Sequence, residues 1–252
     1  MDAVGTVAQL WRYPVKSMQG EQVERLEVAP GGAAGDRILA VVDPAAGKVL
    51  SAKRWAPLLM AAARTEGDDV VVTLPDGAEH AASDPAIHGA LSAWLDLDVR
   101  LERPPADQAL PMEMYTGMSD EDTPLFDWTG PPGAWVDLAD AHWLTTSSLA
   151  GASGLHPDGA WDVRRFRPTA LFDVPGDGFA EDAWKEVAVG PARSEVLMPT
   201  MRCSMPSRAQ PGLELDKAIG TTLRDRHDNN LGVYAKIVEA GAIAIGDEVR
   251  AG

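Results

Sequence analysis

Strand-length apolar runs cut by turn residues constrain this fold more than any other feature. Val4 to Trp11, Val23 to Val28, Ile38 to Asp43 and Val70 to Leu74 are rich in Val, Leu and Ala. The breaks Pro30-Gly31-Gly32, Asp43-Pro44 and Pro75-Asp76-Gly77 carry residues that preset or permit turn dihedrals. Short strands with tight connections give an antiparallel sheet or barrel. Helical spacing is scarce in the first hundred residues; Ile87, Leu91, Trp94 and Leu95 share one face after Ser83-Asp84-Pro85. In the second half the sequence predicts a short helix around 147–152, strands over 168–174 and 185–189, and a helix over 215–227. A hairpin over 233–249, turned at Glu239-Ala240-Gly241, closes the chain.

The 252 residues are 45% hydrophobic and 24% charged, enough apolar material for a real core. At this length two joined domains are expected, with the boundary in the stretch from Arg103 to Gly133, which shows no sustained period. A net charge of -16 argues against a chain whose bulk surface grips nucleic acid or an anionic membrane. No apolar run reaches the roughly 18 residues of a membrane span, and the opening Met-Asp-Ala-Val-Gly-Thr has no leader pattern. The expected location is cytoplasmic. Cys203, the one cysteine, excludes an intramolecular disulfide, a multi-cysteine zinc site and an iron–sulfur cluster.

Positive charge gathers locally despite that average. It does so at Tyr13-Pro14-Val15-Lys16-Ser17, Gly35-Asp36-Arg37, Arg164-Arg165-Phe166-Arg167-Pro168 and Arg202-Cys203. The segment from Leu197 to Leu213 has Arg202 and Arg208 and no acid. Brought together, these segments would form a pocket for a phosphate-like anion; taken singly, each Arg reads equally well as a solvated or ion-paired surface residue. Arg202 sets a cation beside Cys203, and the thiolate is the nucleophilic and metal-ligating form of cysteine. A small buried hydrophobe is the other reading of that cysteine, and Met201 and Met205 beside it read as packing. The histidines His80, His88, His142, His156 and His227 lack metal-ligand spacing, and no nucleotide-binding glycine loop is present. The acidic run Asp120-Glu121-Asp122 reads as solvated.

Taken in order, Tyr13 to Ser17, Gly35 to Arg37, Arg165 to Pro168, Arg202-Cys203, and Asn230 through Gly232-Val233-Tyr234 to Asp247 resemble the MOSC family with its N-terminal β-barrel domain. That is the family of the molybdenum cofactor sulfurase C-terminal domain and the mitochondrial amidoxime-reducing component. The resemblance implies a mainly β fold with some helix (α+β), an N-terminal β-barrel-like domain over 1–110 packed on a MOSC β-barrel domain over 111–252. It also implies a molybdenum–molybdopterin cofactor with Cys203 as metal ligand and catalytic residue. Lys16, Ser17 and Arg37 would hold the pterin phosphate, and Ser148, Arg167, Thr169, Arg202 and Tyr234 would line the rest of the cofactor site. Pyridoxal phosphate is the other phosphate-bearing ligand it admits.

The implied activity is reduction of N-hydroxylated small molecules with electrons from a separate donor protein, ferredoxin-like or cytochrome b5-like with its reductase. Neither nucleic acid nor membrane is an implied partner. Three positions depart from the pattern: Thr169 stands where Asn usually follows Arg-Pro, Pro206-Ser207 replaces two threonines, and Gln210-Pro211 replaces Asp-Pro. Two alternatives stay open: a sulfur or cofactor carrier using Cys203, and a scaffold repurposed without molybdenum.

Overall fold

The first strand, Asp2–Arg12, ties both ends of the chain together. In the computed structural model, which describes residues 1–105, 111–115, 125–129, 135 and 138–252, it pairs antiparallel with Glu248–Ala251, Ala170–Asp173 and Glu21–Val23. Those pairings close a seven-stranded barrel. From Ala170–Asp173 the order runs through Ala141–Thr145, Asn230–Glu239, Ala192–Met201, Glu186–Val189 and Glu248–Ala251 back to the first strand. Only the contact between Ala141–Thr145 and Ala170–Asp173 is parallel. Register shifts on the first strand, between Ala3 and Gly5 and between Val7 and Gln9, let it bend around the barrel. Gly5 is required there, because a Cβ would strike the Asp173 carbonyl. Val7, Leu10, Trp143, Phe172, Val187, Val233 and Val249 fill the interior.

The second lobe follows the expected short-strand pattern. Ala40–Asp43 sits between Arg100–Glu102 and Lys48–Val49 in a five-stranded sheet, and Ala62–Glu66, Asp69–Thr73 and Glu79–Ala81 form a meander. Helix α1 (Ala86–Leu95) buries Ile87, Leu91 and Leu95 against this lobe, as its spacing predicts, and ends at Asp96 in the left-handed region. The remaining helices, α2 (Thr146–Leu155) and α3 (Lys217–Arg226), are capped by the side chains of Thr145 and Asp216.

One expectation is corrected, and one strand had not been expected. The closing hairpin does not form: Gly241–Ala244 pairs with Arg25–Ala29, while Asn230–Glu239 pairs with Ala192–Met201. Leu26 and Val28 alternate inward and meet Ile243 in the barrel core, so burying that apolar face wins over the local turn. The acid-free stretch after Leu197 continues a strand, Ala192–Met201, that its weak alternation concealed. The domain boundary expected within 103–133 falls largely outside the described residues, and Asp120-Glu121-Asp122 lies wholly outside them.

Between the lobes runs the segment after the first strand. Lys16 N donates to the Leu39 carbonyl and Gln19 N to the Ala61 carbonyl, so residues 13–19 leave the barrel and stitch into the second lobe.

Candidate cofactor site

Tyr13 anchors one side of this seam. Its amide donates to Asp36 Oδ1 at 2.7 Å and its carbonyl accepts from the Arg37 amide at 2.7 Å, while Asp36 also pairs with the Arg37 guanidinium. The ring carries two guanidiniums, Arg167 at 4.2 Å and Arg37 at 5.4 Å from its centroid. Gly20 leaves the ring its room, since a Cβ there would collide with it. The phenol is fully buried and its Oη has no hydrogen-bond partner. Burial raises its pKa against the lowering pull of Arg167, so it stays a neutral donor.

Ser17, Arg37 and Arg167 all adopt left-handed backbone, with φ of 71°, 51° and 55°. That conformation is costly for residues with a Cβ and is held by surrounding structure, as recurs at functional sites.

On the other side Asn229 fixes the Arg202-Cys203 segment. The Arg202 amide donates to the Asn229 carbonyl, and Asn229 Nδ2 donates back to the Arg202 carbonyl, both at 2.7 Å. Arg202 Nη2 donates to the Phe166 carbonyl at 2.9 Å, leaving its buried Nε without a partner. Cys203 is half-buried. Nearby, His142 is buried and neutral: burial, then the Arg202 charge, lowers its pKa to about 3. Its ring packs so closely on Gly232, where φ is 79°, that any side chain there would meet it.

These elements enclose a cavity of about 250 Å³. It brings together seven of the nine residues singled out in the sequence, namely Lys16, Ser17, Arg37, Arg167, Arg202, Cys203 and Tyr234. Ser148 and Thr169 lie elsewhere. Ser148 Oγ donates to the buried Glu181 carboxylate at 2.6 Å, and Thr169 Oγ1 accepts from the His142 amide at 3.1 Å behind the cavity wall. Ser51, Lys53, His142, Leu138 and Met198 line the cavity without having been singled out as site residues. Lys53 was detectable only as another basic residue, and the others carry no spacing signal. Met201 and Met205, expected to pack, also line it. In a chain of charge -16, the described residues of the lining include the cations Lys16, Arg37, Lys53, Arg167 and Arg202 and no carboxylate.

Comparison with known proteins places this geometry. Residues 4–92 match the MOSC N-terminal beta barrel domain and residues 139–250 the MOSC domain. The chain belongs to the MOSC family. Mitochondrial amidoxime reducing component 2 of Macaca fascicularis is 26% identical over 289 aligned positions, covering 99% of this chain and 84% of that protein. The YuaD protein from Bacillus subtilis shares the fold at a TM-score of 0.51 and 8% identity, over 97% of this chain and 93% of its own. Membership links this MOSC protein, at the level of the family, to the molybdenum cofactor. Among its described residues no helix is long and apolar enough to cross a membrane.

The donor set of this MOSC protein suits such a group. Among the described residues no three His, Cys, Asp or Glu side chains cluster as a metal site. A metal held by Cys203 would draw on ligands brought by an organic group, and a metal chelated by a dithiolene brings most of its own. The cationic lining fits the phosphate of that organic ligand, and the buried Arg202 Nε, which has no hydrogen-bond partner among the described residues, fits a polar edge of the rest of it.

Proposed function

We propose that this MOSC protein is a molybdenum-cofactor-dependent oxidoreductase that reduces N-hydroxylated compounds with electrons from a separate donor protein. The observation that carries the reading is the cavity itself, where one half-buried thiol, Cys203, opens among five cations and, among the described residues, no carboxylate. Lys16, Ser17 and Arg37 would bind the pterin phosphate, Arg167, Arg202 and Tyr234 the rest of the cofactor, and Cys203 the metal. When bound, the cofactor supplies the two-electron couple and the acceptor for the oxygen of the N–O bond. In the net reaction N–OH gains two electrons and two protons, leaving N–H and water.

The chain's own residues prepare that chemistry. The cations offset the charge of the anionic cofactor inside a cavity of low polarity, where unpaired charge would be costly. His142 presents a neutral imidazole rather than a further positive charge. A single thiol cannot store electrons for turnover, so a one-electron carrier of iron–sulfur or haem type, ferredoxin-like or cytochrome b5-like, is the proposed donor. Thr169 acts on this reading through the lining residue His142 and not by contact, while Ser148 is engaged by Glu181 away from the cavity.

Elemental analysis of protein made in a host that synthesises the cofactor tests the proposal. The parent is expected to hold about one molybdenum per chain and Cys203→Ala almost none, with both equally folded. Equal metal in the two would remove Cys203 as the ligand. Full metal content without turnover under any donor would favour the carrier reading.

A further inference from the structure

Two methionines reach the mouth of the cavity by a break in strand geometry. Side chains alternate along a regular strand, so Met198 and Met201, three positions apart, would face opposite sides of Ala192–Met201. Both line the cavity. In the half of the strand nearest Cys203, pairing with Asn230–Glu239 slips twice, between Val196 and Met198 and again between Pro199 and Met201. Pro199 lies at the second slip and has no amide to donate to the ladder. Thr200 stays buried at the second slip while Met198 and Met201 are 51% and 60% exposed. Bulges beside functional sites re-aim side chains in this way. Leu138, 48% exposed, joins them at the lining.

The outcome is an apolar, water-facing wall immediately before Cys203 in the chain, on a molecule whose surface is otherwise strongly acidic. Exposed apolar residues scattered singly need no explanation, but three directed into one cavity do. Thioethers are flexible and polarisable and pack well against aromatic edges. None of the three side chains can pair with a charged substrate.

We infer that Leu138, Met198 and Met201 form a specificity wall that selects uncharged N-hydroxylated compounds bearing an aryl or bulky alkyl body over their small polar counterparts. The N-hydroxy part of that description rests on the proposed reductase reading; the preference for an apolar body rests on the wall. Burying the body against the wall strengthens binding in proportion to the apolar area removed from water, while the reacting group stays the same.

Benzohydroxamic and acetohydroxamic acid share one reacting group and differ in phenyl against methyl, so they isolate the wall. In molybdenum-loaded protein without electron donor, benzohydroxamic acid is expected to shift the ¹³C-methyl NMR signals of Met198 and Met201, and to bind about tenfold more tightly than acetohydroxamic acid. Met198→Gln/Met201→Gln should reduce that discrimination to about threefold or less. With a donor present, the same ratio should appear in KM. Unshifted Met198 and Met201 methyls, or undiminished discrimination in the double variant, would overturn the wall. Failure to reduce either acid, with the methyl shifts intact, would count against the reductase reading and leave the wall standing.

Discussion

Arg165 and Arg167 are two residues apart in one basic run, and the fold puts them to opposite uses. Arg165 is 1% exposed, in the short 3-10 turn Val163–Arg165. Its guanidinium donates to the carbonyls of Ala160, Pro206, Arg208 and Glu214 at 2.7–3.0 Å, clamping the segment that follows Cys203. Arg167 donates to the Met18 carbonyl but lays its guanidinium on Tyr13 at the cavity lining, on a left-handed backbone. Basic density in a sequence is therefore an ambiguous signal. Whether the guanidinium is used up on carbonyls of its own chain or keeps a face toward an enclosed cavity decides which kind of residue it is.

Substituting both positions alike should pull the two roles apart. Arg165→Met strands four carbonyls, one in a buried bond and three in part-buried ones, and is expected to lower the free energy of unfolding by about 3–4 kcal/mol, read from urea denaturation. Arg167→Met should cost only about 1 kcal/mol of stability, yet weaken binding of pyrophosphate, a probe for the cofactor's phosphate, by about 10- to 30-fold. Equal losses of stability in the two variants would erase the distinction.

The same division separates two serines that the sequence placed together. Ser17 lines the cavity, whereas Ser148 and Thr145 donate to Glu181, which is fully buried. Burial raises the Glu181 carboxyl above its ordinary value, and the hydrogen bonds from Ser148 and Thr145 only partly oppose it. The folded chain thus keeps this proton where the unfolded chain has lost it. Stability from this group is complete below the unfolded glutamate pKa of about 4.3 and falls as pH rises, by at most about 1.4 kcal/mol per pH unit. Comparing parent with Glu181→Gln by urea unfolding at about pH 4 and about pH 7 should show the parent's relative stability declining toward the higher pH. A flat difference would place an ordinary carboxyl there.

The strands, α1 and the cationic motifs were legible because each has a local signature: turn residues, a helical stripe, or Arg and Lys in short clusters. Six of the seven expected site residues that meet at the cavity lie in those motifs, and the seventh, Tyr234, was expected from the family resemblance alone. The closing hairpin was misread because Glu239-Ala240-Gly241 has good turn chemistry, and only the distant Leu26 and Val28 show why Ile243 pairs elsewhere. Met198 and Met201 were opaque in a different way. Their common direction comes from slips in pairing with a strand some thirty residues on, which no local periodicity encodes. Ser148 looked like its cavity-facing counterparts because a hydroxyl has no sequence mark for which carboxylate it will meet.

Tyr13 gives the smallest expected effect and the sharpest discrimination. Its ring supports Arg167 and Arg37 together, and a cation over an aromatic face is worth about 0.5–2 kcal/mol according to its solvation. Removing the ring in Tyr13→Leu should therefore loosen both guanidiniums and weaken pyrophosphate binding by about three- to tenfold. Tyr13→Phe keeps the ring and deletes only Oη, which has no partner in the chain, so its affinity should stay within about twofold of the parent. Phe172→Leu, in the barrel interior beside Trp143, controls for a loosened core. If that variant weakens pyrophosphate binding as much as Tyr13→Leu, the ring acts only through stability. A loss in Tyr13→Phe equal to that in Tyr13→Leu would mean that the hydroxyl reaches the bound anion, and Tyr13 would then move from the residues that position the cations to those that touch the ligand.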